Sequence, residues 1–188
     1  HELDYQIFSE NTTSDWSFGQ GWQIGSGCTP SCGLAPNAFI DFTNMYYAYD
    51  RSLTSPVFDA CGMDDVQIDY CIRSDLFTND YNNAPIQYLD VQYKIGDGSW
   101  TTLNTYESEN GATNDFNEDN VNIPGAADSQ LRIRFRARGN GGSFTLGGWG
   151  VDRLRVEGNS SGSTATLNPS DYNVTYNDNV SGTDCPQV

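Results

Sequence analysis

The stretch Leu131–Arg138, "LRIRFRAR", decides the fold. A β-strand repeats its side-chain direction every second residue, so Leu131, Ile133, Phe135 and Ala137 share one face and Arg132, Arg134, Arg136 and Arg138 the other. One face is fit for a core, and the other carries four guanidinium groups towards solvent. That row stands in a chain of 188 residues with a formal net charge of -16.

Working outward, short alternating or aromatic runs recur between turn signals: "YQIF", "GWQIG", "NAFIDFT", "MYYAYD", "VQIDYCIR", "IQYLDVQYKI", "SWTTLNTY", "NVNI" and "GWGVDRLRVEG". None sustains a helical period. Gly-Asp-Gly in "KIGDGSW" supplies a hairpin turn between two patterned runs. About ten strands at roughly 10–15-residue spacing predict an all-β fold, a two-sheet antiparallel β-sandwich of jelly-roll type. Aromatics make up 13% of the chain, and Gly, Asn, Ser, Thr and Asp outweigh Ala, Leu, Glu and Lys, as strands and turns require. Trp22 and Trp149 belong to the core on this reading, and the acidic segment from Tyr106 to Asn120 reads as a loop.

The sandwich is expected over residues 1–158. Residues 159–188 open on "NSSGSTATLNPS", a linker composition, and continue as "DYNVTYNDNV", which alternates like an added strand. Docked on its own sheet the tail is a cover; docked on another copy it is an assembly device, with Cys185 as a covalent lock.

Cys28 and Cys32 flank "CTPSC", while Cys61 and Cys71 bracket "CGMDDVQIDYC". Disulfides Cys28–Cys32 and Cys61–Cys71 are favoured over free thiols or metal ligands. Cys71 falls on the outward face of its run, where an unpaired thiol would be exposed. Secretion is the matching expectation. Sequons at Asn11, Asn159, Asn173 and Asn179 matter if the source glycosylates asparagine. No apolar run reaches the roughly 18 residues of a membrane span.

The only histidine is His1, so no Ser-His-Asp or Cys-His unit can be assembled. With 25 acids a pair of glycosidase carboxylates is conceivable, but none stands in a context that raises a pKa, so this ranks low. Nine Lys and Arg in total cannot form the broad basic footprint of a nucleic-acid binder.

Six of those nine are Arg132, Arg134, Arg136, Arg138, Arg153 and Arg155. In "IQYLDVQYK", Leu89, Val91 and Tyr93 suit the core, which turns Tyr88, Asp90, Gln92 and Lys94 outward. Asp69 and Arg73 point outward on their own run. One reading is structural, with cross-strand ion pairs from Asp69 or Asp90 to an arginine. The other is functional: on an exposed, concave sheet face Tyr88, Arg132, Arg134, Arg136 and Arg73 bind a glycan or an acidic polymer through guanidinium forks and an aromatic ring.

Five segments in order, "FSENTTSDWSFGQGWQI", "LTSPVFDACGMDDVQIDYCIR", "YLDVQYKIGDGSWTTL", "LRIRFRARGNGG" and "GGWGVDRLRVEG", resemble the MAM-like jelly-roll modules, among them the cleaved-adhesin and choice-of-anchor J types of secreted proteins. The resemblance runs from about Phe8 to Val156. It implies a non-catalytic extracellular recognition or adhesion module, with a glycan or a cell-surface protein as partner; the alternative, carried by the tail and Cys185, is a structural subunit of an adhesin or surface filament. The resemblance also implies a structural calcium ion held by Glu10 of "FSEN" and Asp152 of "GWGVD".

Overall fold

The structure, a computed structural model, describes residues 2–3, 16–25, 37–41, 44, 47–76, 85–108, 117–141 and 146–159. Among them lie twelve strands: β1 (Glu2–Leu3), β2 (Ser17–Phe18), β3 (Trp22–Gly25), β4 (Asn37–Asp41), β5 (Tyr47–Thr54), β6 (Phe58–Asp59), β7 (Asp65–Leu76), β8 (Tyr88–Ile95), β9 (Thr101–Glu107), β10 (Asn117–Asn122), β11 (Gln130–Gly141) and β12 (Leu146–Asn159). Sheet A runs β10-β7-β12-β4-β3, with β1 also on β12; sheet B runs β2-β5-β11-β8-β9, with β6 also on β11. Every described pair is antiparallel. The fold is the two-sheet jelly-roll sandwich that the alternation predicts.

The two long central strands supply most of the core. Leu131, Ile133, Phe135 and Ala137 of β11 are at most 1% exposed and face Val66, Ile68, Tyr70 and Ile72 of β7, with Val151, Leu154 and Val156 of β12 beside them. Phe135 meets Tyr70 edge-on across the sandwich, ring centres 5.8 Å apart. Trp22 and Trp149 are buried, as expected. In β12 the alternation slips, and a register shift between Asp152 and Leu154 restores it, so that Val151, Leu154 and Val156 all point inward. Gly148 is required in the same strand, because a Cβ there would lie 2.6 Å from the Ile40 carbonyl oxygen of β4.

The hairpin between β8 and β9 forms where "GDG" predicts it. Gly98 donates its amide to the Ile95 carbonyl at 2.9 Å, and Gly96 takes a φ of 49°, a conformation that glycine adopts without strain.

The expected loop from Tyr106 to Asn120 is corrected at both ends. Tyr106 and Glu107 complete β9, and Asn117–Asn120 open β10, which pairs with β7 from Ile72 down to Gln67. A side-chain network explains why so polar a segment forms a strand. The Tyr106 hydroxyl donates to Asp119 in a short hydrogen bond and lies 3.1 Å from the Tyr70 hydroxyl, which shares a hydrogen bond with it, and Asn104 Nδ2 donates to Asp119 Oδ2 at 3.3 Å. This joins the edge strand of sheet B to the edge of sheet A. Burial foremost, then the bond to Asp119, pushes the Tyr106 phenol far above its ordinary pKa.

Cys61 and Cys71 are both disulfide-bonded. The register does not bring these two together. Cys61 lies in the turn ahead of β7, its amide on Asp59, while Gly62 beside it donates to Asp128. Cys71 is six residues beyond Asp65, about 20 Å along a strand at ~3.3 Å per residue, whereas bridged Cα atoms lie within about 7 Å. Cys71 is also buried rather than exposed, on the outer side of sheet A. Cys28, Cys32, Cys185, Glu10, Asn11, Asn173, Asn179 and the tail from residue 160 onward lie outside the described residues; Asn159 ends β12, opposite Asp65.

Candidate functional site

The outer face of sheet B is built in tiers across β5, β11, β8 and β9. Register sets Thr54, Arg134, Gln92 and Thr102 in one tier and Ser52, Arg136, Asp90 and Thr105 in the next. Asp50, Arg138, Tyr88 and Glu107 form the third, and Arg132 faces Lys94 at the opposite end. The four arginines therefore stand on one central strand between polar neighbours, as the period of two requires.

Two of the four are neutralised. Arg136 makes a two-point contact with Asp50, with Nε 2.7 Å from Oδ1 and Nη2 on Oδ2. Arg138 does the same with Asp90, at 2.6 Å from Nε and 3.1 Å from Nη2. Asp90 also accepts from the Thr105 hydroxyl at 2.9 Å. Covered in this way, Asp90 and Gln92 are buried although they point outward. Arg134 is different, since its Nε and Nη2 both donate to the neutral Gln92 Oε1, at 2.8 and 2.5 Å. The hydrogen bonds they donate to Asp50 and Asp90 raise the pKa values of Arg136 and Arg138; partial burial, then the nearby charge of Arg136, lowers that of Arg134.

Two aromatic rings complete the face. The Arg138 guanidinium lies over Tyr88, 4.3 Å from Cζ to ring centre, and that of Arg134 lies over Trp100 at 4.1 Å. Each ring fixes the plane of an arginine fork by stacking.

The structure thus brings together Tyr88, Arg132, Arg134 and Arg136, but not Arg73. Arg73 and Asp69 belong to β7 in sheet A, opposite Gly150 and Arg155 of β12, so neither reaches the row; Asp69 instead accepts a short hydrogen bond from Asn120. The cross-strand acids are Asp90, as expected, and Asp50. Trp100 and Asp50 escaped sequence reasoning. For Trp100 a signal was present, since it follows the hairpin turn directly and counting back across that turn sets it beside Lys94. Asp50 carries no comparable signal, because which strand flanks β11 is a matter of topology.

Asp152 lies elsewhere, 4% exposed in sheet A opposite Cys71. Burial suits a carboxylate that meets a cation. Among the described residues no three His, Cys, Asp or Glu side chains gather as a complete metal site would need. Of the expected calcium pair, Asp152 is described and Glu10 lies outside the described residues.

No protein-family profile matches the chain, and no curated protein is detectably similar to it in sequence. Solved structures do share its fold. TmCBM61, solved in complex with β-1,4-galactotriose, aligns with a TM-score of 0.53 at 8% identity over 82% of this chain and 99% of its own. The K1 cleaved adhesin domain of Lys-gingipain from Porphyromonas gingivalis aligns with a TM-score of 0.55 at 16% identity, over 85% and 99%. Caldicellulosiruptor saccharolyticus CBM27-1, solved in complex with mannohexaose, gives 0.53 at 11% identity, over 82% and 96%. The chain is similar in fold to carbohydrate-binding modules and cleaved-adhesin domains, and the likeness is one of architecture.

Proposed function

We propose that this protein is a non-catalytic carbohydrate-binding module of the cell exterior, and that the outer face of sheet B is its binding surface. The observation that carries the reading is the pair of aromatic rings, Tyr88 and Trp100, each held beneath a guanidinium on an open sheet face. Tyr88 and Lys94, the latter beside Trp100, stand six residues apart on β8, about 20 Å at ~3.3 Å per residue. That length accommodates several linked sugar rings. Arg132, Arg134 and Arg136 supply donors along the way, and buried Asp90 and Gln92 hold Arg138 and Arg134 in place without competing for the ligand.

The chain's fold neighbours, two of them solved with bound oligosaccharides, support this choice of ligand class. The reading includes a calcium ion at Asp152 with Glu10 as its second ligand, which would stabilise the sandwich away from the binding face. Affinity electrophoresis through gels containing a panel of polysaccharides tests the function. Retardation by at least one polymer, lost in Y88A and W100A, supports it. Migration unchanged by every polymer, or retardation that both variants retain, refutes it.

A further inference from the structure

The arginine row is electrically divided. Arg136 and Arg138 are met by carboxylates, Arg134 only by an amide, and Arg132 is exposed with no ion-pair partner among the described residues. Directly opposite Arg132 stands Lys94, its ammonium 5.7 Å from the centre of the Trp100 ring. Like charges facing each other across a strand pair destabilise a sheet. A chain with 25 acidic residues could cancel them easily, yet among the described residues no acid pairs with either one.

We propose that Arg132, Lys94 and Arg134, the last two against the Trp100 ring and Arg132 opposite Lys94, form a subsite for an anionic group, so that the ligand of this face is a negatively charged polysaccharide. The inference rests on the carbohydrate reading and adds the ligand's charge to it. Arg132 offers its whole donor fork, which matches the two oxygens of a carboxylate or of a sulfate, and Lys94 adds a compact point charge. The face is polarised along its length, since the opposite end carries the exposed acids Asp50 and Glu107 around Tyr88. An anionic sugar unit therefore seats at the Arg132 end, with the chain continuing towards Tyr88. The net charge of -16 does not forbid this, because at physiological ionic strength charges beyond about 8 Å are largely screened and the three local cations dominate.

Isothermal titration against two matched pairs tests it: polygalacturonate with its carboxyl-reduced form, and dextran sulfate with dextran. At least one anionic polymer should bind about tenfold or more tightly than its neutral partner, and the arm showing the preference identifies carboxylate or sulfate. The preference should shrink as salt rises from about 20 to 200 mM and fall to near parity in K94Q/R132Q, a variant that keeps its melting temperature. R155Q, which removes a charge from the other sheet, should retain it. Equal binding of the charged and neutral partners overturns the anionic subsite and leaves the carbohydrate reading standing. A preference that survives in K94Q/R132Q, or no binding to any of the four polymers, also overturns the inference, and the polysaccharide panel then decides the broader reading independently.

Discussion

Arg138 pairs with Asp90 diagonally. In register Asp90 stands opposite Arg136, and Arg138 stands between Asp50 and Tyr88, yet the ion pairs are Arg138–Asp90 and Arg136–Asp50. Each arginine reaches one tier along the sheet to the acid nominally facing the other. Diagonal neighbours in a sheet lie within reach of long side chains, and the crossed pattern leaves the Arg138 guanidinium lying over Tyr88.

The two crossed pairs differ in burial, and so they should differ in worth. Asp50 is half exposed, and R136A is expected to cost at most about 1 kcal/mol. Asp90 is 4% exposed, so R138A leaves a buried carboxylate held only by Thr105 and should cost about 1–3 kcal/mol. Urea melts of the two variants measure the contrast. Equal losses would mean that burial of Asp90 does not matter.

Acid should weaken the Arg136–Asp50 pair. The hydrogen bond from Arg136, against some burial, holds the Asp50 carboxyl below its ordinary pKa. A depressed folded pKa contributes stability that is complete above the unfolded value, near 4, and is lost as pH falls through the lower folded value. Wild type should therefore lose slightly more stability than D50N between about pH 4 and pH 2. Parallel curves would contradict the shift.

At the alkaline end the Tyr106–Asp119 contact has the opposite sign. The raised Tyr106 pKa stabilises the fold below the unfolded value of about 10, and that contribution drains away as pH climbs above it. Y106F should lower the melting temperature at neutral pH and flatten its fall above about pH 10. A variant as steep as wild type in alkali would show that Tyr106 is not the group responsible.

For calcium at Asp152, chelation should lower the melting temperature by removing a ligand that binds only the folded chain. Added calcium should restore it in wild type and not in D152N. A melt indifferent to both EDTA and calcium would remove the metal from the account.

Much of this was legible in "LRIRFRAR". A period of two fixes which residues face the core, and the buried set of β11 follows it residue by residue. Alternation tells inside from outside but not which of two sheets a strand joins. Asp69 and Arg73 are outward, as read, and sit on the opposite side of the sandwich from the arginines. The same blindness hid Asp50, whose partner is 86 residues away in the chain. The segment from Asn117 to Asn120 was missed because its strand character depends on Tyr70 and Tyr106, which are remote in sequence.

The central claim is that the outer face of sheet B binds polysaccharide, and Arg134 sits at its middle, bonded to Gln92 and stacked on Trp100. The decisive measurement is a calorimetric titration of wild type and R134A with a polysaccharide that retards the wild-type protein, paired with thermal melts of both. The account predicts that R134A loses about tenfold or more in affinity while its stability falls by at most about 1 kcal/mol. Unchanged affinity in a folded R134A would contradict it.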